Sequence, residues 1–274
     1  MDTVELLVHD LDTMTRFYQQ AVTLDVLDQV GSSAVLGRGG VPVMMLRQEP
    51  DLPEPDRSGA GLYHTAILFE DQQRLASALA SMAQHASHHY EGSADHFVSE
   101  AFYFHDPEGN GLELYRDRAR VEWPVGPDGS VQMGSAPLDP QQFLQRWWEP
   151  DLSDSSVSAA IGHVHLQVGD VPTARAFYEG VLGFDVTLSM GSALFLSAGG
   201  YHHHLGMNTW HSAGAGPRAA TLGLGDVRIQ VPAREDVEAL ADRLRHHQVP
   251  AADDGRSLRF ADPWGTRLAV RPAD

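Results

Sequence analysis

The most constraining feature of this sequence is an internal repeat. The segment that begins at His163 aligns with the segment that begins at Thr3, at a constant offset of 160 residues. The matched residues are Asp10 with Asp170, Phe17-Tyr18 with Phe177-Tyr178, and Gly39-Gly40 with Gly199-Gly200. A second pair of segments also matches, with Gly61-Leu62 repeated at Gly223-Leu224 and Asp106-Pro107 repeated at Asp262-Pro263. Repetition of this kind predicts a chain built from four similar structural units.

Each unit has the pattern of one strand, one helix and three further strands. In the first unit, a strand at 4–8 precedes a helix that reaches Val22, and three short apolar stretches follow. We therefore predict an α+β fold with four βαβββ modules, paired into two curved, cup-like sheet domains. The predicted boundaries are an N-terminal half, 1–116 (modules 1–56 and 57–116), a linker with a short helix, 117–158, and a C-terminal half, 159–274 (modules 159–215 and 216–274).

Composition excludes several kinds of chemistry. The chain has no cysteine, which excludes disulfides and thiolate sites, and its 19 basic residues are all arginine, which excludes lysine chemistry. A net charge of −18 argues against nucleic acid or an anionic membrane as a partner. No apolar run approaches the roughly 20 residues that span a bilayer. We expect a cytoplasmic protein and leave a homo-oligomer open.

One hairpin carries an unusual carboxylate. The stretch 99–115 is typical of strand, tight turn and strand, with turn residues between Asp106 and Gly111. Alternation along the second strand places Glu113 on the face opposite Leu112 and Leu114. Glu113 then either points to solvent or lines an interior polar site.

The sequence resembles the vicinal oxygen chelate superfamily, which includes glyoxalase I, bleomycin-resistance proteins and extradiol dioxygenases. The resemblance covers nearly the whole chain, and its form is most similar to the bacterial two-domain catechol-2,3-dioxygenases. It rests on three stretches, VGDVPTARAFY (168–178), GYHHHLGMNTW (200–210) and DPEGNGLE (106–113).

The resemblance implies metal ligands on the first and last strand of each module. Carried over by position, these are His64 and Glu113 in module 2 and His163 in module 3, with His165 as an alternative to His163. Pairing modules 3 and 4 would instead offer His163 with Asp226, and Ala269 where a carboxylate should close the site. We therefore expect modules 2 and 3 to form the active cup, and modules 1 and 4 a degenerate one.

The resemblance also implies acid–base groups near the metal. His204, His96 and Tyr103 are the expected catalytic residues. Alternation puts His202 and His204 on one face and His203 on the other, so that His202 is a further alternative. Asn208 and His105 are expected to orient the ligand imidazoles.

The implied activity is extradiol cleavage of a catechol-type vicinal diol by O2. The implied cofactor is Fe(II), held by two His and one Glu, and Mn(II) suits the same ligands. The partners would be a small aromatic diol and O2. Two alternatives stay open, namely another metal-dependent enzyme of the superfamily, such as a glyoxalase-like isomerase or lyase, and a non-catalytic resistance protein that binds a small molecule.

Overall fold

The computed structural model describes residues 1–127, 129–150 and 158–273. Within these ranges the order strand, helix, strand, strand, strand occurs four times. The predicted α+β fold of four βαβββ modules is therefore confirmed. Positions 128 and 151–157 of the predicted linker lie outside the described residues.

The modules have the following elements. Module 1 contains β1 (Val4–Val8), α1 (Leu11–Gln20), β2 (Asp25–Val30), β3 (Ser33–Arg38) and β4 (Val41–Gln48). Module 2 contains β5 (Gly61–Phe69), α2 (Gln72–His85), β6 (Tyr90–Asp95), β7 (Ser99–His105) and β8 (Gly111–Asp117), and is followed by β9 (Ala136–Pro137) and α3 (Pro140–Trp147). Module 3 contains β10 (Ala159–Gln167), α4 (Val171–Arg175) with a π-helical continuation (Ala176–Val181), β11 (Asp185–Met190), β12 (Ala193–Ser197) and β13 (Leu205–Asn208). Module 4 contains β14 (Gly223–Val231), α5 (Arg234–His246), β15 (Ala251–Asp253), β16 (Leu258–Ala261) and β17 (Arg267–Pro272).

The strands form two sheets that join modules from different halves of the chain. One sheet has the order β15-β16-β17-β14-β1-β4-β3-β2, and the other has the order β11-β12-β13-β10-β5-β8-β7-β6-β9. Modules 1 and 4 thus supply one sheet and modules 2 and 3 supply the other. This confirms the module pairing that the distribution of ligand-type residues predicted.

Cα packing divides the chain into two compact units. The first comprises Met1–Leu7, Asp51–Tyr63 and His163–Asp274, and the second comprises Val8–Pro50 and His64–Gly162. In the first unit, β14 pairs with β17 in parallel and with β1 antiparallel. In the second unit, β8 pairs with β5 in parallel and with β7 antiparallel. The predicted domain boundaries at 116 and 159 follow the repeat along the chain, and these boundaries stay a prediction.

The repeated aspartates begin the helices of modules 1 and 3. Asp10 caps α1 by accepting a hydrogen bond from the Thr13 backbone N–H, and Asp170 caps α4 by accepting one from the Thr173 N–H. Each cap satisfies a donor that the first helical turn leaves unpaired. None of the helices in the described part of the chain is long and apolar enough to cross a membrane.

A buried hydrogen bond joins each of these helices to the turn that precedes the last strand of a module. Tyr18 Oη donates to Asp106 Oδ2 at 3.0 Å, and Tyr178 Oη donates to Asp262 Oδ2 at 3.0 Å. Burial raises the pKa of the Asp106 carboxyl from 3.8 to about 6, although its hydrogen bonds oppose that shift. The repeated Phe-Tyr motif is therefore hydrogen-bonded to the repeated Asp-Pro motif in both halves of the chain.

The helix in the linker is held by a phenylalanine. Asp139 caps α3 and Pro140 occupies its first turn. The Phe143 ring packs against Phe102 at a centroid distance of 5.0 Å. Trp148, which follows the helix, is 49% exposed.

The buried tyrosine hydroxyls provide a test of this packing. Tyr18→Phe and Tyr178→Phe should each lower the free energy of unfolding by about 1–3 kcal/mol, because each leaves a buried carboxyl without one donor. Tyr90→Phe is the control, since its hydroxyl bonds Ser93 at the surface and its loss should cost within about 0.5 kcal/mol. Urea unfolding measures all three. Equal stability of Tyr18→Phe and Tyr90→Phe would contradict the assignment.

Candidate metal centre

Two side chains on neighbouring parallel strands begin the candidate centre. His64 lies on β5, and Ala66 on the same strand is the register partner of Glu113 on β8. Because side chains alternate along a strand, all three point to one face. His64 Nε2 lies 3.0 Å from Glu113 Oε2, and the two residues are 6% and 2% exposed. Glu113 is therefore an interior carboxylate.

The face that carries Glu113 is lined by small and aromatic side chains. Ala66, Ala101 and Tyr115 form a buried cluster there. A Cβ atom on Gly162 would lie 1.7 Å from Tyr115 Oη, so this position accepts only glycine unless the tyrosine moves. Small residues thus leave room for the large polar groups of this face.

Tyr103 and His96 form a hydrogen-bonded pair beside this face. Tyr103 is directly opposite Glu113 in the β7–β8 register, and its ring centroid is 5.6 Å from that of His64. His96 Nδ1 lies 2.7 Å from the Gly134 carbonyl oxygen, and His96 Nε2 lies 2.7 Å from Tyr103 Oη. A carbonyl can only accept, so in a neutral ring Nδ1 carries the hydrogen and Nε2 accepts the Tyr103 O–H. The Tyr103 hydroxyl therefore donates to a neutral His96 ring.

His163 lies on β10 in the first unit and is 2% exposed. The His203 ring lies against it, with a centroid distance of 4.1 Å, and the His202 ring is 6.3 Å away. The Nδ1 atoms of His202 and His203 are 2.8 Å apart. One of them must donate and the other accept, so each ring fixes the tautomer of the other.

The three expected metal ligands have their donor atoms close together. One nitrogen or carboxylate oxygen from each of His64, Glu113 and His163 lies within 4.8 Å of the other two, and all three residues are buried. Two ligands about 2.1 Å from one ion, at a right angle, are about 3.0 Å apart, which matches the His64–Glu113 distance of 3.0 Å. Two imidazoles and one carboxylate fit a non-haem Fe(II) or Mn(II) ion.

The triple histidine differs from the sequence expectation. Strand β13 begins only at Leu205, so alternation does not apply to 202–204. His204 Nδ1 accepts from the Ala198 N–H at 3.2 Å, and its ring lies against Tyr201. Among the described contacts it is the His203 ring that lies against His163, and the catalytic role expected for His204 stays a prediction. Sequence reasoning missed His203 because it treated this segment as extended.

Comparison with known proteins places the chain in a family. The family model described as the Glyoxalase/Bleomycin resistance protein/Dioxygenase superfamily matches residues 1–114 and 160–270. The chain belongs to this superfamily. It is 36% identical over 264 residues to a protein from Bacillus subtilis (strain 168) named catechol-2,3-dioxygenase, covering 94% of this chain and 92% of the relative.

Solved structures show the same superfamily fold. Glyoxalase I from Zea mays superposes with a TM-score of 0.58 at 15% identity, over 99% of this chain and 92% of that one. The cppA protein of Streptococcus pneumoniae superposes with a TM-score of 0.63 at 12% identity, over 99% of this chain and 98% of that one. At these identities the likeness concerns the fold alone.

The superfamily ligand positions of module 4 carry an ion-pair network. Asp226 Oδ2 accepts from Arg259 Nη1 and Asp226 Oδ1 accepts from Arg267 Nε, both at 2.8 Å. Arg267 also lies 3.7 Å from Glu5 Oε2. Both oxygens of the Asp226 carboxylate therefore face guanidinium groups. Ala269 supplies no donor, as the sequence predicted.

His165 and Asn208 belong to an aromatic cluster in the first unit. Asn208 Nδ2 lies 3.1 Å from His165 Nε2, and the His165 ring contacts Tyr63 and Trp210 at 5.1 and 5.7 Å. A Cβ on Gly206 would come within 2.9 Å of His165 Nδ1. Asn208 therefore orients His165, and it is His163 that joins the group with His64 and Glu113.

His105 has a different partner from the one expected. Its Nδ1 atom lies 3.1 Å from Glu91 Oε1, and its ring packs against His89 at 4.8 Å. His105 has these neighbours because it is the last residue of β7, and the chain turns at Asp106. The expectation that His105 orients a ligand imidazole is not supported by these contacts.

Proposed function

We propose that this protein is an extradiol dioxygenase that cleaves a catechol-type vicinal diol with O2 at a non-haem Fe(II) ion. The observation that carries the proposal is the buried group of His64, Glu113 and His163, in a chain 36% identical to a protein named catechol-2,3-dioxygenase. Mn(II) is a second candidate for the ion, because nitrogen and oxygen donors suit both metals.

The ligand set would leave part of the ion open for substrate. Three protein ligands satisfy about half of the six positions that Fe(II) favours. When bound, the ion would polarise both oxygens of a vicinal diol and supply the electron chemistry that O2 requires. Glu113 offers one negative charge against the two positive charges of the ion, so the site would keep a net positive charge and would favour an anionic form of the diol.

Tyr103 and His96 would receive the proton that the diol must lose. The Tyr103 hydroxyl donates to His96 Nε2 at 2.7 Å, so the tyrosine oxygen can accept a hydrogen bond from a substrate hydroxyl. A proton would move from the diol to Tyr103 while the tyrosine proton moves to His96. The Gly134 carbonyl, which accepts from Nδ1, would stabilise the resulting imidazolium.

His203 would act as the second acid–base group. Its ring is 4.1 Å from that of His163, and its tautomer is coupled to that of His202 through the 2.8 Å contact between their Nδ1 atoms. A histidine in this position can accept a proton and return it during one turnover.

Metal content tests the ligand set. Glu113→Ala and His163→Ala should each weaken Fe(II) binding by more than the roughly 10- to 100-fold loss caused by removing an outer partner. Asp226→Ala is the matched control, because that carboxylate binds arginines in the other sheet, and it should retain iron. Iron analysis after anaerobic loading and desalting gives the answer. If Asp226→Ala were the only variant to lose iron, the metal site would have to be assigned to modules 3 and 4 instead.

Product analysis tests the reaction. Protein loaded with Fe(II) under anaerobic conditions, then given catechol and air, should form a yellow ring-cleavage product, and Glu113→Ala should form none. Cleavage beside the diol yields a coloured semialdehyde, whereas an isomerase would leave catechol intact. Iron binding without colour from catechol or its alkyl derivatives would contradict the dioxygenase. Absence of iron binding would favour a resistance-type binding protein.

Paired histidine variants test the acid–base assignment. His203→Phe should retain iron and lower kcat by about 10²- to 10⁴-fold, the usual contribution of general acid–base catalysis. His204→Phe should leave kcat within about twofold, because a group outside the reaction contributes nothing to that catalysis. The pH profile of kcat should lose one limb in His203→Phe. A larger effect in His204→Phe would reverse the assignment.

A further inference from the structure

The linker contacts His96, the proposed proton acceptor, through one glycine. The carbonyl oxygen of Gly134 lies 2.7 Å from His96 Nδ1, and the N–H of Gly134 donates to the His96 backbone carbonyl at 3.3 Å. One hydrogen bond therefore holds the imidazole, and the other holds the main chain of the same residue. The direction of the His96 ring thus depends on where Gly134 lies.

The segment that begins at Gly134 runs beside β6. In this segment, 134–138, which we call the linker strap, strand β9 pairs antiparallel with Ala94 and Asp95 of β6. The Leu138 carbonyl also accepts from Ser93 Oγ at 2.6 Å. The linker strap is therefore attached along β6, and this attachment holds its first residue beside the β6–β7 turn.

We propose that Gly134 and Phe97 are positioning residues, which interlock so that the linker strap holds the hydrogen of His96 on Nδ1. His96 Nε2 is then kept as the acceptor for the Tyr103 hydroxyl. This inference rests on the proposed function, in which His96 receives a proton through Tyr103, and it assigns a role to the linker in that step.

Phe97 has a backbone conformation that bulky residues rarely adopt. Its φ angle is 71°, in the left-handed region that favours glycine. The Phe97 N–H donates to Asp95 Oδ1 at 2.8 Å, and Asp95 Oδ2 accepts from Arg118 Nη2 at 2.6 Å, so this carboxylate holds the turn. The side chain is also 41% exposed. A strained and exposed aromatic residue directly after the proposed proton acceptor points to a function for its ring.

The Phe97 ring explains why position 134 is a glycine. A Cβ atom on Gly134 would lie 2.3 Å from Phe97 Cε2 and 2.8 Å from Phe97 Cδ2. The φ angle of Gly134 is outside the left-handed region, so the requirement for glycine comes from the ring and not from backbone strain. Any side chain at this position must displace either the ring or the linker strap, and the strap carries the carbonyl that binds His96.

The contact matters because a neutral imidazole can carry its hydrogen on either nitrogen, and the hydrogen bonds of the ring decide which one. Without the Gly134 carbonyl, the hydrogen can move to Nε2. His96 would then face Tyr103 as a donor and could not take the tyrosine proton. The expected metal ligands lie on β5, β8 and β10, so loss of this contact should impair the proton step and leave metal binding intact.

Matched glycine variants test the positioning role. Gly134→Ala, loaded with Fe(II), should retain iron and lose about 10- to 100-fold in both kcat and kcat/KM, which is part of the usual contribution of acid–base catalysis. Gly92→Ala is the control, because this glycine lies on β6 and a Cβ there would have no described atom within 4 Å. Its kcat should stay within about twofold of the wild type.

A second substitution tests whether the Phe97 ring is the cause. Phe97→Gly removes the ring and suits the left-handed φ, so the added methyl group of Gly134→Ala then meets no obstacle. In the Phe97→Gly background, Gly134→Ala should therefore lower kcat by less than about threefold. An equal loss of kcat in both backgrounds would overturn the interlock.

The tautomer of His96 provides a readout that needs no turnover. Imidazole ¹⁵N chemical shifts of the full-length, iron-free protein are measured at mildly alkaline pH, where imidazoles are neutral, and His96→Gln identifies the His96 signals. The wild type should carry the hydrogen on Nδ1, and Gly134→Ala should shift it towards Nε2.

The two proposals can therefore fail separately. A wild type that forms no ring-cleavage product contradicts the dioxygenase, whatever the tautomer of His96. The positioning role is overturned if the His96 tautomer is the same in Gly134→Ala as in the wild type. It is also overturned if Gly134→Ala keeps the wild-type kcat, or if Gly92→Ala lowers kcat as much as Gly134→Ala does.

Discussion

The geometry of the candidate centre depends on the buried hydrogen bond between Tyr18 and Asp106. The same carboxylate accepts the side-chain amide of Asn110 and the backbone N–H groups of Glu108 and Asn110. These bonds fix the turn between β7 and β8, so that β8 begins at Gly111 and Glu113 follows two residues later. The position of Glu113, the carboxylate that would bind metal, is thus set by the buried carboxylate of Asp106, which bonds only to the protein.

The two ligand-type side chains of this sheet are held by strands. His64 and Glu113 lie on paired strands rather than on loops, and strands hold side chains within narrower limits than loops do. Ala66, Ala101 and Gly162 keep the space around them open. The helix on the other side of the turn, α1, is held by its Asp10 cap.

Sequence reasoning predicted the features that depend on periodicity. The repeat indicated four modules, the retained ligand-type residues predicted that modules 2 and 3 pair, and alternation placed Glu113 opposite Leu114. Its rules do not extend to segments where the backbone leaves regular structure. His204 was preferred to His203 by a rule for strands, although β13 begins only at Leu205. The Glu91 partner of His105 depends on a bulge in β6, which no local sequence signal indicated.

The two sheets balance their buried charge in different ways. In the sheet of modules 1 and 4, Asp226 is neutralised by Arg259 and Arg267, which are part of the chain and cannot diffuse away. Glu113, in the other sheet, lies beside the His64 imidazole and belongs to the group that could hold a metal ion. One half of the duplicated architecture therefore keeps its electrostatic balance whatever the supply of metal in the cell. In the other half, the charge of Glu113 would be balanced by a bound metal ion, so that balance would depend on the supply of the ion.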